Sequence, residues 1–125
     1  MKMHHVALIA ADYARSKRFY TEILGLEILA EHYRAARDSW KLDLGSGGHY
    51  LLELFSFPAP PPRANSPEAC GLRHLAFAVD DVAAQRAALQ AKGVACEAVR
   101  IDEYTGKPFF FIKDPDGLPI EFYQA

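Results

Sequence analysis

The strongest constraint on the fold is an internal repeat, because the chain carries the same three residue types at nearly the same separations in each half. Each histidine of the repeat precedes an aspartate by seven residues, and a glutamate follows it after forty-eight residues in the first half and forty-seven in the second. The matched pairs are His5 and His74, Asp12 and Asp81, and Glu53 and Glu121. This period is too long for a solenoid repeat and predicts an internally duplicated domain.

Both halves also follow one order of predicted elements, a strand, a helix and then three strands. In the first half, apolar runs predict strands at 3–11, 26–34, 39–44 and 50–57, with a helix at 13–24. In the second half, strands are predicted at 72–79, within 94–104, at 108–113 and at 118–123, with a helix at 82–92. Asp12 and Asp81 stand at the helix N-caps, and Gly25 and Gly93 at the C-caps.

A chain of 125 residues is the size of one domain, which we expect to span 1–125 as two modules. The first module covers about 1–57 and the second about 72–125, and a proline-rich linker joins them at about 58–71. Cys70 and Cys96 are too few for a disulfide framework and lack the spacing of a zinc or redox motif, so both are predicted to be reduced.

Composition excludes several classes of function. The formal net charge of -2 gives no support to nucleic-acid binding, and half of the residues are hydrophobic, as in ordinary globular domains. No apolar run approaches the roughly twenty residues of a membrane helix, and no targeting signal is recognisable. We therefore expect a cytoplasmic protein that does not partner with a membrane.

The repeated His and Glu residues are candidates for a metal site. Taken singly, each Glu could pair with a Lys or Arg across a sheet, and each His could be an ordinary strand residue. Their recurrence at duplicated positions favours one shared site. A bound metal ion would also supply the positive partner that a carboxylate in an apolar strand needs. Two imidazoles and two carboxylates suit Zn, Ni, Mn, Co or Fe(II), and four protein ligands leave two places open on an octahedral ion. His5 keeps the spacing of His74, so the adjacent His4 is predicted to point to the other face.

The motifs resemble the vicinal oxygen chelate superfamily, in its glyoxalase I branch, over nearly the whole chain. The resemblance lies in the strands that begin at His5 and His74, Phe19-Tyr20 with Leu24-Gly25-Leu26, Leu52-Glu53-Leu54, and the terminal run from Asp114 to Glu121. It implies an α+β fold in which two tandem βαβββ modules form cupped mixed sheets. It also implies that His5, Glu53, His74 and Glu121 bind one divalent metal, and that Glu53 and Glu121 are catalytic.

By this resemblance the protein is a metal-dependent lyase or isomerase of the lactoylglutathione lyase type, and a homodimer. The ion would chelate neighbouring oxygens of a small substrate and acidify the adjacent C–H bond. Glu121, as the last-strand carboxylate, would leave the metal and move that proton.

The resemblance is incomplete where glutathione would bind. The glutathione-dependent enzymes carry an Arg four residues after the first His and an Asn four after the first Glu, whereas this chain has Ile9 and Phe57. Two groups of side chains could replace them. One is Arg34, Arg37, Trp40 and Lys41, and the other is Arg100, Tyr104 and Lys107. Within these groups Arg37, Trp40 and Lys107 are predicted to bind an anionic substrate, since an aromatic wall beside a cation suits an anion.

Alternative functions remain open on the same fold. An acyl-CoA epimerase would use the same four ligands and the same proton transfer. An extradiol dioxygenase would use a facial triad without Glu53, and a fosfomycin resistance enzyme would use three ligands and further anion-binding residues. A non-enzymatic binding or resistance protein would not need the four residues at all.

Overall fold

Both halves of the computed structural model, which describes residues 1–125, follow the predicted order of elements. The chain divides into two compact units, Met1–Pro62 and Arg63–Ala125. Unit 1 contains β1 (Val6–Ala10), α1 (Tyr13–Arg18), β2 (Glu27–Arg34), β3 (Ser39–Ser46) and β4 (His49–Ser56). Unit 2 contains β5 (Leu75–Val79), α2 (Val82–Ala91), β6 (Arg100–Ile101), β7 (Pro108–Lys113) and β8 (Pro119–Gln124).

The helix boundaries follow from the predicted caps. The side chain of Asp12 accepts a hydrogen bond from the backbone N–H of Arg15 at 3.1 Å, and Asp81 accepts one from Ala84 at 2.9 Å. Each bond satisfies a backbone donor that the first helical turn leaves unpaired. The α-helix is shorter than the predicted 13–24, because α1 ends at Arg18 and the chain continues as a π-helical turn at Phe19–Ile23.

Each unit forms one four-stranded mixed sheet. The strand order is β1-β4-β3-β2 in unit 1 and β5-β8-β7-β6 in unit 2. In both units the first and last strands pair in parallel, and all other neighbours are antiparallel. The predicted α+β class with tandem βαβββ modules is thus confirmed.

One face of each sheet is an apolar core, and the opposite face is more polar. In unit 1 the side chains of Leu42, Leu44, Leu52 and Leu54 are at most 3% exposed. The corresponding buried residues of unit 2 are Phe110, Ile112, Ile120 and Phe122, each at most 4% exposed. Since side chains alternate along a strand, the intervening residues lie on the opposite face. Glu53 and Glu121 are among them.

Neither helix combines the length and the apolar character that crossing a lipid bilayer requires. Cys70 and Cys96 are both free thiols.

Candidate metal centre

His5 and Glu53 form a pair on the polar face of unit 1. His5 immediately precedes β1, and two residues later Ala7 lies directly beside Glu53 in the parallel β1–β4 ladder. The imidazole of His5 and the carboxylate of Glu53 lie on the same face of the sheet. His5 Nε2 lies 3.4 Å from Glu53 Oε2, and the carboxylate side chain is only 15% exposed.

Unit 2 repeats this arrangement in the same register. His74 immediately precedes β5, and two residues later Ala76 lies beside Glu121 in the parallel β5–β8 ladder. His74 Nε2 lies 3.3 Å from Glu121 Oε2, and the Glu121 side chain is 16% exposed. Parallel pairing of the first and last strands therefore positions each His beside its Glu in both units.

Each pair has the chemistry and spacing of neighbouring ligands on one ion. Nitrogen and oxygen ligands lie at about 2.0–2.2 Å from a divalent transition metal, so adjacent ligands stand about 3 Å apart. Separations of 3.3 and 3.4 Å between Nε2 and Oε2 are close to that spacing. The structure does not gather three or more His, Cys, Asp or Glu side chains into one metal-binding group. Each unit thus contains one His–Glu pair of the four predicted ligands.

A β-bulge determines the surroundings of Glu53. In the β3–β4 ladder Gly45 pairs with Tyr50, but the preceding β3 residue, Leu44, pairs with Leu52. Leu51 is therefore an extra, unpaired residue of β4, which is a β-bulge. The shift brings Tyr50 to the same face as Glu53, although the two residues are three apart. It also places Asp43 directly across from Glu53.

Tyr50, Asp43 and Lys41 hold Glu53 in a hydrogen-bonded network. Tyr50 Oη is 2.8 Å from Glu53 Oε2 and 2.7 Å from Asp43 Oδ1. Lys41 Nζ lies 2.7 Å from Asp43 Oδ1 and 3.5 Å from Glu53 Oε2. Burial raises the pKa of Tyr50, and its bonds to the two carboxylates raise it further, so the hydroxyl remains a donor at neutral pH.

Charges within the network also shift the pKa of its other members. Burial raises the pKa of Asp43, but the hydrogen bonds from Lys41 and Tyr50 outweigh burial, so this pKa lies below its usual value. The hydrogen bond to Asp43 raises the pKa of Lys41. Lys41 is therefore a cation beside the Asp43 carboxylate at neutral pH.

Glu121 has apolar surroundings instead. Its cross-strand neighbour on β7 is Phe111, the position that Asp43 occupies in unit 1. The Phe111 ring meets the imidazole of His74 edge to face, with 5.2 Å between ring centroids. His74 is the only side chain that pairs with the Glu121 carboxylate. Glu121 therefore has fewer restraints than Glu53.

A cavity of about 190 Å³ opens beside His74 within unit 2. Its walls include Phe111, Arg73 and Arg100, and the Arg100 guanidinium lies over the Phe109 and Phe111 rings at 5.0 and 5.7 Å from their centroids. Both arginines have carboxylate partners, Glu68 for Arg73 and Glu97 for Arg100.

The prediction that His4 points away from His5 is wrong. His4 Nδ1 lies 2.7 Å from His5 Nδ1, and the His4 ring centroid is 5.2 Å from that of Tyr50. Strand alternation does not apply to this pair, because β1 begins only at Val6. His4 therefore flanks the first pair.

The three residues predicted to bind substrate lie in three separate places, namely a 3-10 helix, a face of β3 and a turn. Arg37 is exposed in a short 3-10 helix at Ala35–Arg37. Trp40 lies on the face opposite to Glu53 and stacks on Tyr13 of α1, with 5.6 Å between ring centroids. Lys107 is exposed in the turn before β7. The structure does not bring Trp40 together with His5 and Glu53.

Sequence reasoning missed Tyr50 and Asp43. Asp43 carried a usable signal, since the alternation Lys41, Leu42, Asp43, Leu44 places two polar residues on one strand face. Tyr50 carried none, because only the bulge turns it toward Glu53.

Duplicated βαβββ modules, each with a His–Glu pair on the polar face of its sheet, define a class of paired-module α+β proteins. The chain belongs to the Glyoxalase/Bleomycin resistance protein/Dioxygenase superfamily, whose family model matches residues 2–122.

Several known proteins resemble the whole chain. Uncharacterized protein YaeR of Escherichia coli (strain K12) is 58% identical over 98% of this chain and 95% of its own length. The crystal structure of the glyoxalase family protein from Enterococcus faecalis has a TM-score of 0.91 and 44% identity, covering 98% of this chain and 96% of that one. A probable lactoylglutathione lyase of Vibrio parahaemolyticus is 28% identical over 96% of this chain and 88% of its length.

Proposed function

We propose that the protein is a divalent-metal-dependent lyase or isomerase of the glyoxalase type. The observation that carries the proposal is the identical register of the His5–Glu53 and His74–Glu121 pairs, each at ligand-like spacing in a parallel ladder. A structural role for one pair would not require the second pair in the same register. Similarity to a protein named as a probable lactoylglutathione lyase supports the same class of reaction.

His5, Glu53 and His74 would hold the ion, and Glu121 would be both ligand and base. When bound, the metal would act as a Lewis acid on neighbouring oxygens of the substrate and acidify the adjacent C–H bond. The two carboxylates differ in the number of side chains that contact them, and this difference suits the two roles. Tyr50 and Lys41 restrain Glu53, whereas His74 alone pairs with Glu121. A carboxylate with few restraints can take a proton from one carbon and return it to the next.

A complete site needs both pairs, and we propose that the protein works as a homodimer. If the pairs combine between chains, a mixture of His5→Ala and His74→Ala variants will regain about a quarter of wild-type activity, because half of the dimers are mixed and each has one intact site. If they combine within a chain, the mixture will stay inactive. Size-exclusion chromatography with light scattering measures the dimer directly, and a monomeric active protein would contradict it.

The test of the function is metal analysis followed by a deuterium-exchange screen. The protein is dialysed in non-chelating buffer with Ni²⁺, Zn²⁺, Mn²⁺, Co²⁺ or Fe²⁺, and one ion is expected for each set of four ligands. The screen then follows exchange into 2-oxoaldehyde hemithioacetals and acyl thioesters, which covers the isomerase and epimerase reactions. A protein that takes up none of these ions would refute the metal site.

Glu121→Gln tests the base. We expect exchange to fall by about a hundredfold or more, the usual contribution of a general base, while bound metal is largely retained. Glu103→Gln is the matched control, since Glu103 is exposed and makes no ion pair. Full exchange activity in Glu121→Gln would overturn the assignment.

The substrate is proposed to be a small anion, with Arg37, Trp40 and Lys107 still predicted to contact it. Glutathione is not required by this proposal. Ile9 is a hydrocarbon side chain that is 57% exposed, and Phe57 stacks on Phe55, with ring centroids 5.8 Å apart. Neither can pair with a carboxylate.

A further inference from the structure

Arg34 differs from the other arginines near the candidate ligands because it has no carboxylate partner. No Asp or Glu oxygen lies within 4.0 Å of its guanidinium nitrogens, whereas Arg73 and Arg100 each pair with a glutamate. Arg34 is partly buried at the end of β2, and its Nε is buried without a hydrogen-bond acceptor in the protein. A partly buried cation without a counter-ion is destabilising, so its retention needs an explanation.

The guanidinium is fixed in orientation. It lies over the rings of Phe55 and Phe57, 4.8 and 5.8 Å from their centroids, and Nη2 donates to Ser39 Oγ at 2.9 Å. Ser39 is fully buried, so it holds that end of the guanidinium in place. Because Nε is buried and Nη2 already donates to Ser39, an oxyanion would be received at the end of the guanidinium, by Nη1 and the second N–H of Nη2, which can bind it in a bidentate manner.

This cation lies on the same sheet face as Glu53. Phe55 follows Glu53 by two residues on β4, a distance of about 7 Å along a strand. Lys41 is the cross-strand neighbour of Phe55 and therefore lies between the Asp43–Glu53 carboxylates and the Phe55 ring that supports Arg34. Positive charge thus continues along the face away from Glu53.

We propose that Arg34 is the receptor for the anionic group of the substrate, a carboxylate or a phosphate, which would bind near the Phe55 ring, two residues along β4 from Glu53. This inference rests on the proposed function for the role of Glu53, and it names the substrate class as a short oxyanion-bearing molecule. Arg34 would set the orientation of such a molecule and would take no part in proton transfer. Phe55 and Phe57 would act as the support of the guanidinium.

The experiment titrates the purified chain with malonate and with inorganic phosphate, against sodium chloride at matched ionic strength. The readout is the Nε–Hε signal of Arg34 in ¹H–¹⁵N NMR spectra, assigned by its loss in Arg34→Gln. We expect saturable shifts in the wild type with at least one of the two anions, and the tighter anion identifies a carboxylate or a phosphate as the favoured group. Shifts that follow ionic strength alone, without saturation, would overturn the proposal.

Variants then separate charge from geometry. Arg34→Gln is expected to weaken anion binding about tenfold, since it removes a charge-assisted bidentate contact. Arg34→Lys should weaken it by a smaller factor, because an ammonium keeps the charge but not the planar fork. Arg15→Gln, which removes an exposed charge from α1, should bind as the wild type does. Unchanged binding in Arg34→Gln, or a larger loss in Arg37→Gln, would refute the assignment.

Metal affinity of Arg34→Gln, measured by competition with a chromogenic chelator, keeps the two proposals distinct. We expect it to equal that of the wild type, because Arg34 contacts neither His5 nor Glu53. Saturable anion binding in a chain that takes up no metal would refute the proposed function but support the oxyanion site. Metal binding without saturable anion binding would refute the oxyanion site alone.

Discussion

Tyr50→Phe tests how Glu53 is held in place. The substitution removes one hydroxyl, which lies 2.7 Å from Asp43 Oδ1 and 2.8 Å from Glu53 Oε2. A phenol has one proton, so it donates to one carboxylate at a time. The lost interaction is therefore one charge-assisted hydrogen bond, and both acceptor side chains are only about 15% exposed.

The expected magnitude follows from that count. A hydrogen bond to a charged group contributes about 1.5–3 kcal/mol, and the partial exposure of this cluster favours the lower end. After the substitution Lys41 alone separates two carboxylates, at 2.7 Å from Asp43 and 3.5 Å from Glu53. We expect the free energy of unfolding of the metal-free protein to fall by about 1.5 kcal/mol. Metal affinity should fall about tenfold to a hundredfold, as is usual when a residue that orients a ligand is lost.

Urea unfolding monitored by circular dichroism measures the stability, and competition with a chelator measures the affinity. Tyr104→Phe is the matched control, because that side chain is 90% exposed and its hydroxyl has no hydrogen-bond partner. If Tyr50→Phe unfolds at the same urea concentration as the wild type and binds metal equally well, the hydroxyl does not position Glu53.

Two further predictions concern stability. Asp114→Ala should lower the free energy of unfolding by about 1–3 kcal/mol in urea unfolding, because Asp114 Oδ1 accepts the N–H groups of Asp116 and Leu118 in the turn that leads to Glu121; no loss of stability would show that the turn forms without these bonds. Glu31→Gln should make stability less dependent on pH, because hydrogen bonds from Lys17, then from Tyr13, lower the pKa of Glu31 below its ordinary value of 4.5. A lowered pKa stabilises the fold above pH 4.5 and loses that effect as pH falls through the folded-state pKa. The stability difference between wild type and Glu31→Gln should therefore be largest near pH 6 and shrink below pH 4; a difference that is constant with pH would contradict this.

Much of the fold was predictable because its signals are local. Helix caps depend on residues a few positions apart, and Asp12 and Asp81 cap α1 and α2 as expected. The alternation of apolar residues along the strands likewise depends on neighbours. The duplicated spacing of His and Glu gives the β1–β4 and β5–β8 ladders the same register, because both units pair their first and last strands in parallel.

The positions of Tyr50 and His4 show where local signals end. Tyr50 and Glu53 are three residues apart on β4, so plain alternation would place them on opposite faces. The bulge at Leu51 brings both to one face, whereas alternation along β3 places Trp40 with Leu42 and Leu44, opposite to Asp43. His4 precedes the first strand residue, so alternation could not place it.

The sequence by itself determined which residues are repeated, in what order the elements follow, and which four side chains are candidate metal ligands. Each of these depends on residue type and separation along the chain. Only the tertiary structure decided what surrounds each Glu: a hydrogen-bonded Tyr50, Asp43 and Lys41 beside Glu53, and Phe111 beside Glu121. The physical reason is that cross-strand neighbours depend on register, and a single bulged residue exchanges the faces of every side chain beyond it.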